Sequence, residues 1–196
     1  MILASGSPRR QDFFKLLRLP FICIPAMIDE TPVPGLSPEA FACDLALRKV
    51  QSVKDKNPDA KWIFGADTIV VLDEKIYGKP ENRDCGREML KSLTGKRHKV
   101  ITAMALYNNI NKKTDIRHKA SDVDMAPLSD AEIEWYLDTG EWQGAAGAYR
   151  LQELGACLIS SINGSPSGIA GLPLHDFYAM LRENGYNFPL PYGDEI

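Results

Sequence analysis

No apolar run in the chain reaches the roughly 18 residues that a membrane-spanning helix requires, so no membrane partner is expected. Cysteine is scarce as well. Cys23, Cys43, Cys85 and Cys157 are scattered, with no CxxC pair and no histidine nearby. That pattern indicates neither a disulfide framework nor a zinc site, and reduced thiols fit a cytoplasmic protein. Also missing is any excess of positive charge: 23 Lys and Arg stand against 26 Asp and Glu, a net charge of −3. Proteins that coat nucleic acid or anionic membranes carry strongly basic faces, so a nucleic-acid partner is disfavoured. Arg9 and Arg10, followed by Phe13 and Phe14, loosely resemble a twin-arginine export signal, but Arg18, Pro20 and Pro25 break the apolar segment that should follow. There is no internal repeat and no low-complexity tract. The 196 residues fit one domain, 1–196, in two lobes.

What is present centres on residues 62–80, WIFGADTIVVLDEKIYGKP. Trp62, Ile63, Phe64, Ile69, Val70, Val71 and Leu72 are strand formers, and the turn residues 73–75 fold them into a hairpin. Asp67 is the lone charge inside this apolar run. A buried carboxylate is costly unless it meets a cation, a donor network or a proton, which makes Asp67 a candidate for chemistry. Gly65 permits close approach beside it, and the return arm delivers Lys79 toward the same sheet edge. A carboxylate and a lysine placed this way suit a metal-bound phosphate ester. The plainer alternative is an Asp67 that merely bonds a loop and a solvated Lys79.

Residues 1–5 read as a strand, stopped by Gly6, Ser7 and Pro8, and a helix follows from Arg9 to before Pro20, with Phe13, Phe14, Leu16 and Leu17 inward. Ser7, Arg9 and Arg10 at that strand-to-helix turn make an anion site, because orphan amides, the helix dipole and guanidinium forks all favour phosphate; the plainer alternative is two solvated arginines at a helix start. Residues 21–28 read as a second strand, and Asp29 and Glu30 at its exit form either a metal site or a polar cap. A Pro-rich loop, 31–36, leads to Ser37, the N-cap of a helix running to about Lys56. Its inward face holds Phe41, Leu45 and Val50, and Lys49, four residues after Leu45, either lies along that side with its ammonium in reach of a pocket or faces water as most helix lysines do. Residues 83–93 form a helix, 98–107 and 114–125 paired strands, and Ser129 with Glu132 a capping box. Residues 141–152, EWQGAAGAYRLQ, are rich in Gly and Ala, as suits a backbone passing close to a ligand. Residues 156–162 read as a buried strand, Gly171-Leu172-Pro173 lead into a last helix, and the tail from 188 is expected to be loose. Gly95-Lys96 lacks the spacing of a P-loop, and His98 has no companion at metal-ligand spacing.

Taken together, LASGSPRR, Glu30 after a strand, LALRK around Lys49, GADTIV, GKP, HKVITA, TGEW, AGAYRLQ and GLP resemble, in order and spacing, the Maf family of nucleoside triphosphate pyrophosphatases. The resemblance runs from residue 3 to about residue 181. It implies an α/β fold like that of the inosine triphosphate pyrophosphatases, a two-lobed mixed sheet with helices around a central cleft. It also implies hydrolysis of a nucleotide to monophosphate and pyrophosphate, a homodimer, and a site made of Ser7, Arg9, Arg10, Glu30, Lys49, Asp67, Lys79 and Gln152. In the family's pyrimidine-specific branch the segment reads EPxDKAGAYGIQ. Here Ala145 stands at the lysine and Arg150 at the glycine after tyrosine, whereas Tyr149 and Gln152 are retained. The branch acting on 7-methylguanosine triphosphate reads more like CAGSFKSE, so the chain looks closer to the dTTP/UTP branch.

The expected chemistry is attack of water on the α-phosphorus, with Asp67 as base or metal ligand and Mg²⁺ or Mn²⁺ held by Asp67 and Glu30. Arg9, Arg10, Lys49 and Lys79 would neutralise the triphosphate. The family was named for blocking septum formation, which leaves a non-catalytic regulator of cell division as the rival reading. Asp67, Lys49 and Lys79 argue for retained catalysis.

Overall fold

The computed structural model describes residues 1–31 and 35–188. Seven strands form one mixed sheet in the order β2 (Ile22–Cys23), β1 (Ile2–Leu3), β3 (Trp62–Leu72), β5 (Arg97–Asn108), β6 (Lys113–Met125) and β7 (Ile159–Asn163). The seventh, β4 (Lys75–Tyr77), pairs with the far end of β3. The β2, β1 and β3 strands run parallel, and β3, β5, β6 and β7 are successively antiparallel. Asp73 and Glu74 turn the β3–β4 hairpin, both with positive φ, as the twist of a two-residue hairpin requires. The fold is thus mixed α/β, as expected.

Alternation along β3 sends its side chains to two different cores. On one face α2 (Pro38–Lys54) lays Phe41, Leu45 and Val50 against Ile63, Ile69 and Ile101. On the other, Phe64 is sandwiched by Phe14 of α1 (Pro8–Leu16) and Phe177 of α6 (Leu174–Glu183), with ring centroids 5.6 and 4.4 Å away. A third cluster fills the far end of the sheet, where α3 (Arg83–Leu93) and α4 (Asp130–Asp138) pack Leu90, Leu93, Tyr136 and Leu137 against Val100 and Val123. A short helix, α5 (Pro166–Ile169), connects β7 to α6.

The edge of β3 is covered in two pieces. β1 pairs with Ile63 and Phe64, β4 with Val70 to Leu72, and residues 65–69 between them have no strand on that side. A gap in the sheet therefore opens around Asp67. Because it lies at an edge and not on a face, residues from both faces of β3 reach it.

Gly65 sets how closely α2 approaches this gap. A Cβ there would lie 2.9 Å from the Ala46 carbonyl oxygen and 3.0 Å from a Val50 methyl. Gly65→Ala is accordingly expected to push α2 outward and cost about 1–3 kcal/mol, the range for overpacking. A fall in the urea midpoint checks this; an unchanged midpoint would show slack between α2 and β3.

Several elements differ from the sequence reading. In α1 it is Arg10 and Phe14, four residues apart, that are buried, and Leu16 is 67% exposed. β2 has two residues and not eight, because Pro25 cannot extend its ladder, although Ile24, Ala26 and Ile28 still pack on the α2 face. Residues 154–158 form a 3-10 turn, and β7 beyond it is an edge strand with largely exposed side chains, not a buried strand. Phe188, placed in the loose tail, packs on Tyr178 and Tyr186. The rest of that tail, and residues 32–34 of the Pro-rich loop, lie outside the described residues.

Candidate active site

A cleft of about 410 Å³ opens at the gap in the sheet, and Ser7, Arg9, Arg10, Glu30, Lys49, Asp67, Lys79 and Gln152 all line it. Five cationic side chains, Arg9, Arg10, Lys49, Lys79 and Arg150, face two carboxylates, Glu30 and Asp67. The cleft is therefore cationic in a chain whose net charge is −3, which selects an anionic ligand.

At its floor Lys49 joins the two carboxylates. Its Nζ lies 2.5 Å from Asp67 Oδ1 and 2.7 Å from Glu30 Oε1. Lys49 and Asp67 are buried, whereas Glu30 is 41% exposed and also faces Lys79 Nζ at 3.6 Å. The geometry follows from the chain. Gly65 admits α2, Lys49 lies one turn after Leu45 on its inward side, and Asp67 is two residues beyond Gly65 on the same face of β3. Arg48, next on α2, donates to the Asp29 carbonyl at 2.6 Å and so anchors the segment carrying Glu30. Asp29 itself accepts from the amide and hydroxyl of Thr31, which makes it a turn cap and leaves Glu30 as the acid of the pair that enters the cleft. Burial alone would raise the Glu30 carboxyl. Hydrogen bonding and charge from Lys49, with Lys79 added, outweigh it, so Glu30 lies below the usual range and is ionised at neutral pH.

Arg10 occupies the opposite wall. Its Nε donates to the Gly171 carbonyl at 2.9 Å, Nη1 to Ser5 Oγ at 3.1 Å and Nη2 to Thr68 Oγ1 at 3.0 Å. Thr68 Oγ1 is 2.8 Å from Thr102 Oγ1, which donates to the Gly168 carbonyl at 2.7 Å. Three of the five N–H donors of Arg10 thus knit α1, β3 and the loop before α6 together. Sequence reasoning treated Arg10 as a phosphate fork alone and missed this scaffold; the Ser5, Thr68 and Thr102 hydroxyls carry no signal of it. Arg9 is half-buried and makes no ion pair among the described residues. Desolvation and the nearby charge of Arg150 lower its pKa, against a raising contribution from Glu153.

The third wall comes from residues 143–152. Gly147, with φ of 69°, passes so near Val70 that a Cβ would lie 2.8 Å from its Cγ2, so the Gly-rich stretch presses onto β3. Gln152 is exposed and lines the cleft, its amide 3.4 Å from Glu153. Ala145, which stands at the lysine of the pyrimidine-specific segment, is 1% exposed and does not line the cleft; its neighbours Gly144 and Ala146 do. A lysine in its place would have to bury its ammonium, which is costly without a buried partner.

Behind this wall His98 Nε2 meets the Tyr149 hydroxyl at 2.8 Å, and both side chains are buried. Desolvation pushes His98 down to about 4 from 6.5. A histidine with a depressed folded pKa stabilises the protein above its unfolded value and loses that stabilisation as pH falls. Stability is therefore expected to fall by up to about 3 kcal/mol between pH 6.5 and 4 through this residue. Urea unfolding at pH 7 and pH 4.5 should show a smaller difference for His98→Gln than for the native chain.

The chain is similar to known proteins over nearly its whole length. The family model for Maf-like proteins matches residues 1–184. A dTTP/UTP pyrophosphatase from Symbiobacterium thermophilum is 41% identical, over 95% of this chain and 94% of its own. One from Pelotomaculum thermopropionicum is 40% identical over 95% and 97%, and one from Clostridioides difficile 40% over 98% and 98%. Among solved structures, a dITP/XTP pyrophosphatase from Mycobacterium abscessus aligns with 65% of this chain and 73% of its own, at 12% identity and a TM-score of 0.41. With near-complete coverage by the family model and by relatives at about 40% identity, the chain belongs to the family of Maf-like proteins.

Proposed function

We propose that this protein is a nucleoside triphosphate pyrophosphatase, hydrolysing dTTP, UTP and related pyrimidine nucleotides to the monophosphate and pyrophosphate. The observation that carries the reading is the buried Asp67–Lys49 pair, joined by half-exposed Glu30, at the floor of a cleft whose walls are otherwise cationic. Relatives at 37–41% identity named dTTP/UTP pyrophosphatase support it and supply the base class. In the reaction a water oxygen bonds to the α-phosphorus as the bridge to the β-phosphate breaks, and pyrophosphate leaves with the bond electrons. Asp67 takes up the water proton, and Lys49 holds the carboxylate in position. Arg9, Lys79 and the amides at the start of α1 stabilise the phosphate charge. Gln152 offers both a donor and an acceptor to a uracil or thymine edge.

A divalent cation belongs to the same proposal. Asp67 and Glu30 each give one oxygen to Lys49 Nζ and keep a second hard oxygen, and these would hold Mg²⁺ or Mn²⁺ beside the ammonium. No group of three His, Cys, Asp or Glu that could hold a metal occurs among the described residues, so phosphate oxygens and water would complete the shell around Asp67 and Glu30. When bound, such an ion supplies charge neutralisation on the phosphates. No described helix is long and apolar enough to cross a membrane. A cytosolic setting is supported by the four unbridged cysteines. Assembly as a homodimer is part of the reading, and sedimentation velocity tests it.

The decisive experiment is pyrophosphate release from a panel of nucleoside triphosphates with Mg²⁺ or Mn²⁺. Turnover of dTTP and UTP above purines is expected. Preference for 7-methylguanosine triphosphate would overturn the pyrimidine assignment, and inactivity on every nucleotide would overturn the enzyme.

A further inference from the structure

We infer that Lys49 is a built-in counter-ion that keeps the free site from holding a divalent cation, so that Mg²⁺ or Mn²⁺ enters only with the phosphates of a nucleotide; this deepens the pyrophosphatase reading and rests on it. Lys49 Nζ lies 2.5 Å from Asp67 Oδ1 and 2.7 Å from Glu30 Oε1, and Lys79 Nζ lies 3.6 Å from Glu30 Oε2. One oxygen of Asp67 and both of Glu30 thus already face an ammonium group. Two ammonium groups match two carboxylates, so the floor is neutral before any ligand arrives, and Arg9 and Arg10 line the same cleft. The negative potential that would draw a dication out of water is absent there.

Lys49 cannot step aside as Lys79 can. Lys79 is 57% exposed and its partner Glu30 is exposed too, so both can turn to water. Lys49 is buried on the inward side of α2. Its stem is held against β3 at Gly65, where an added Cβ would lie 3.3 Å from Lys49 Cβ. A dication that took Asp67 from Lys49 would leave an ammonium buried beside the ion, and breaking a buried pair in this way is strongly destabilising. Nor do the carboxylates suffice alone, since no group of three His, Cys, Asp or Glu that could hold a metal occurs among the described residues. Mg²⁺ is bound by one or two carboxylates when substrate phosphates complete its shell. A triphosphate changes both conditions at once: it adds hard oxygens, and it brings enough negative charge to make the floor anionic despite Lys49.

Binding of Mn²⁺ to the full chain, followed by the paramagnetic resonance of the free ion, tests this without turnover. The native chain should bind Mn²⁺ at least about 10-fold more weakly alone than with a UTP analogue carrying an NH bridge between its α- and β-phosphorus atoms, after correction for chelation by the analogue itself. Lys49→Met should tighten nucleotide-free binding by at least about 10-fold, the effect of removing one ammonium at contact distance. Mn²⁺ should then raise the melting temperature of Lys49→Met and leave that of the native chain nearly unchanged. Lys79→Met should tighten binding much less, and adding Asp67→Asn to Lys49→Met should abolish the gain. Native binding that is equally strong with and without the analogue overturns the inference, and that measurement needs no variant to fold. Equal affinity in Lys49→Met and the native chain overturns it too, as does a gain that is as large in Lys79→Met or that survives Asp67→Asn. The two readings fail separately. Analogue-dependent Mn²⁺ binding in a chain that hydrolyses nothing sinks the enzyme, and turnover by a chain that holds Mn²⁺ as tightly without nucleotide sinks only this role of Lys49.

Discussion

Asp67→Asn is expected to lower turnover of the preferred nucleotide by at least about 100-fold, the scale for loss of a general base or a carboxylate ligand. The fold should survive the change. Asparagine is nearly isosteric and its Oδ1 can still accept from Lys49 Nζ, which lies 2.5 Å from Asp67 Oδ1. Single-turnover pyrophosphate release and a urea titration together separate chemistry from folding. Near-native turnover with a native urea midpoint would remove Asp67 from the reaction and leave it as a structural partner of Lys49.

Lys49→Met is expected to have the largest effect on stability, about 3 kcal/mol at neutral pH, because it leaves the buried Asp67 carboxylate without its cation. Glu30, being 41% exposed, can turn to water and adds little to that loss. The sign of the coupling identifies the cause. Adding Asp67→Asn to Lys49→Met should restore most of the lost stability, since the double variant contains no unpaired buried charge there. If the two losses simply add, the ammonium is held by something other than the carboxylate, and the account of the cleft floor fails. Activity should be lost in both variants regardless.

Much of this was legible in the chain because the signals are local. Ser37 before Pro38, the Ser129–Glu132 capping box and the β-forming run around Asp67 each specify their element within a few residues, and the structure has all three. The placement of eight polar residues around one cleft came from the family resemblance joined to these local readings. What sequence could not give depends on distant contact. Leu16 looked like core until Arg10 took that face of α1, and nothing near Arg10 reveals partners at Thr68 and Gly171. Residues 156–157 have strand composition but lie in a 3-10 turn, because the Glu141 carboxylate accepts from the Leu154 and Gly155 amides and fixes the chain there first. Ala145 is buried, a fact that composition does not encode.

The bond from Arg10 to Gly171 spans 161 positions of the chain. A contact of such range closes a long loop and so forms late, after the local hairpins and helices have taken shape. During synthesis, which proceeds from the N-terminus, Arg10 leaves the ribosome long before its partner does. Over that interval the guanidinium has the Ser5 and Thr68 hydroxyls within reach but not the Gly171 carbonyl that completes the wall. The cleft is thereby completed only when the segment before α6 has emerged, and a nascent chain has no finished site until then.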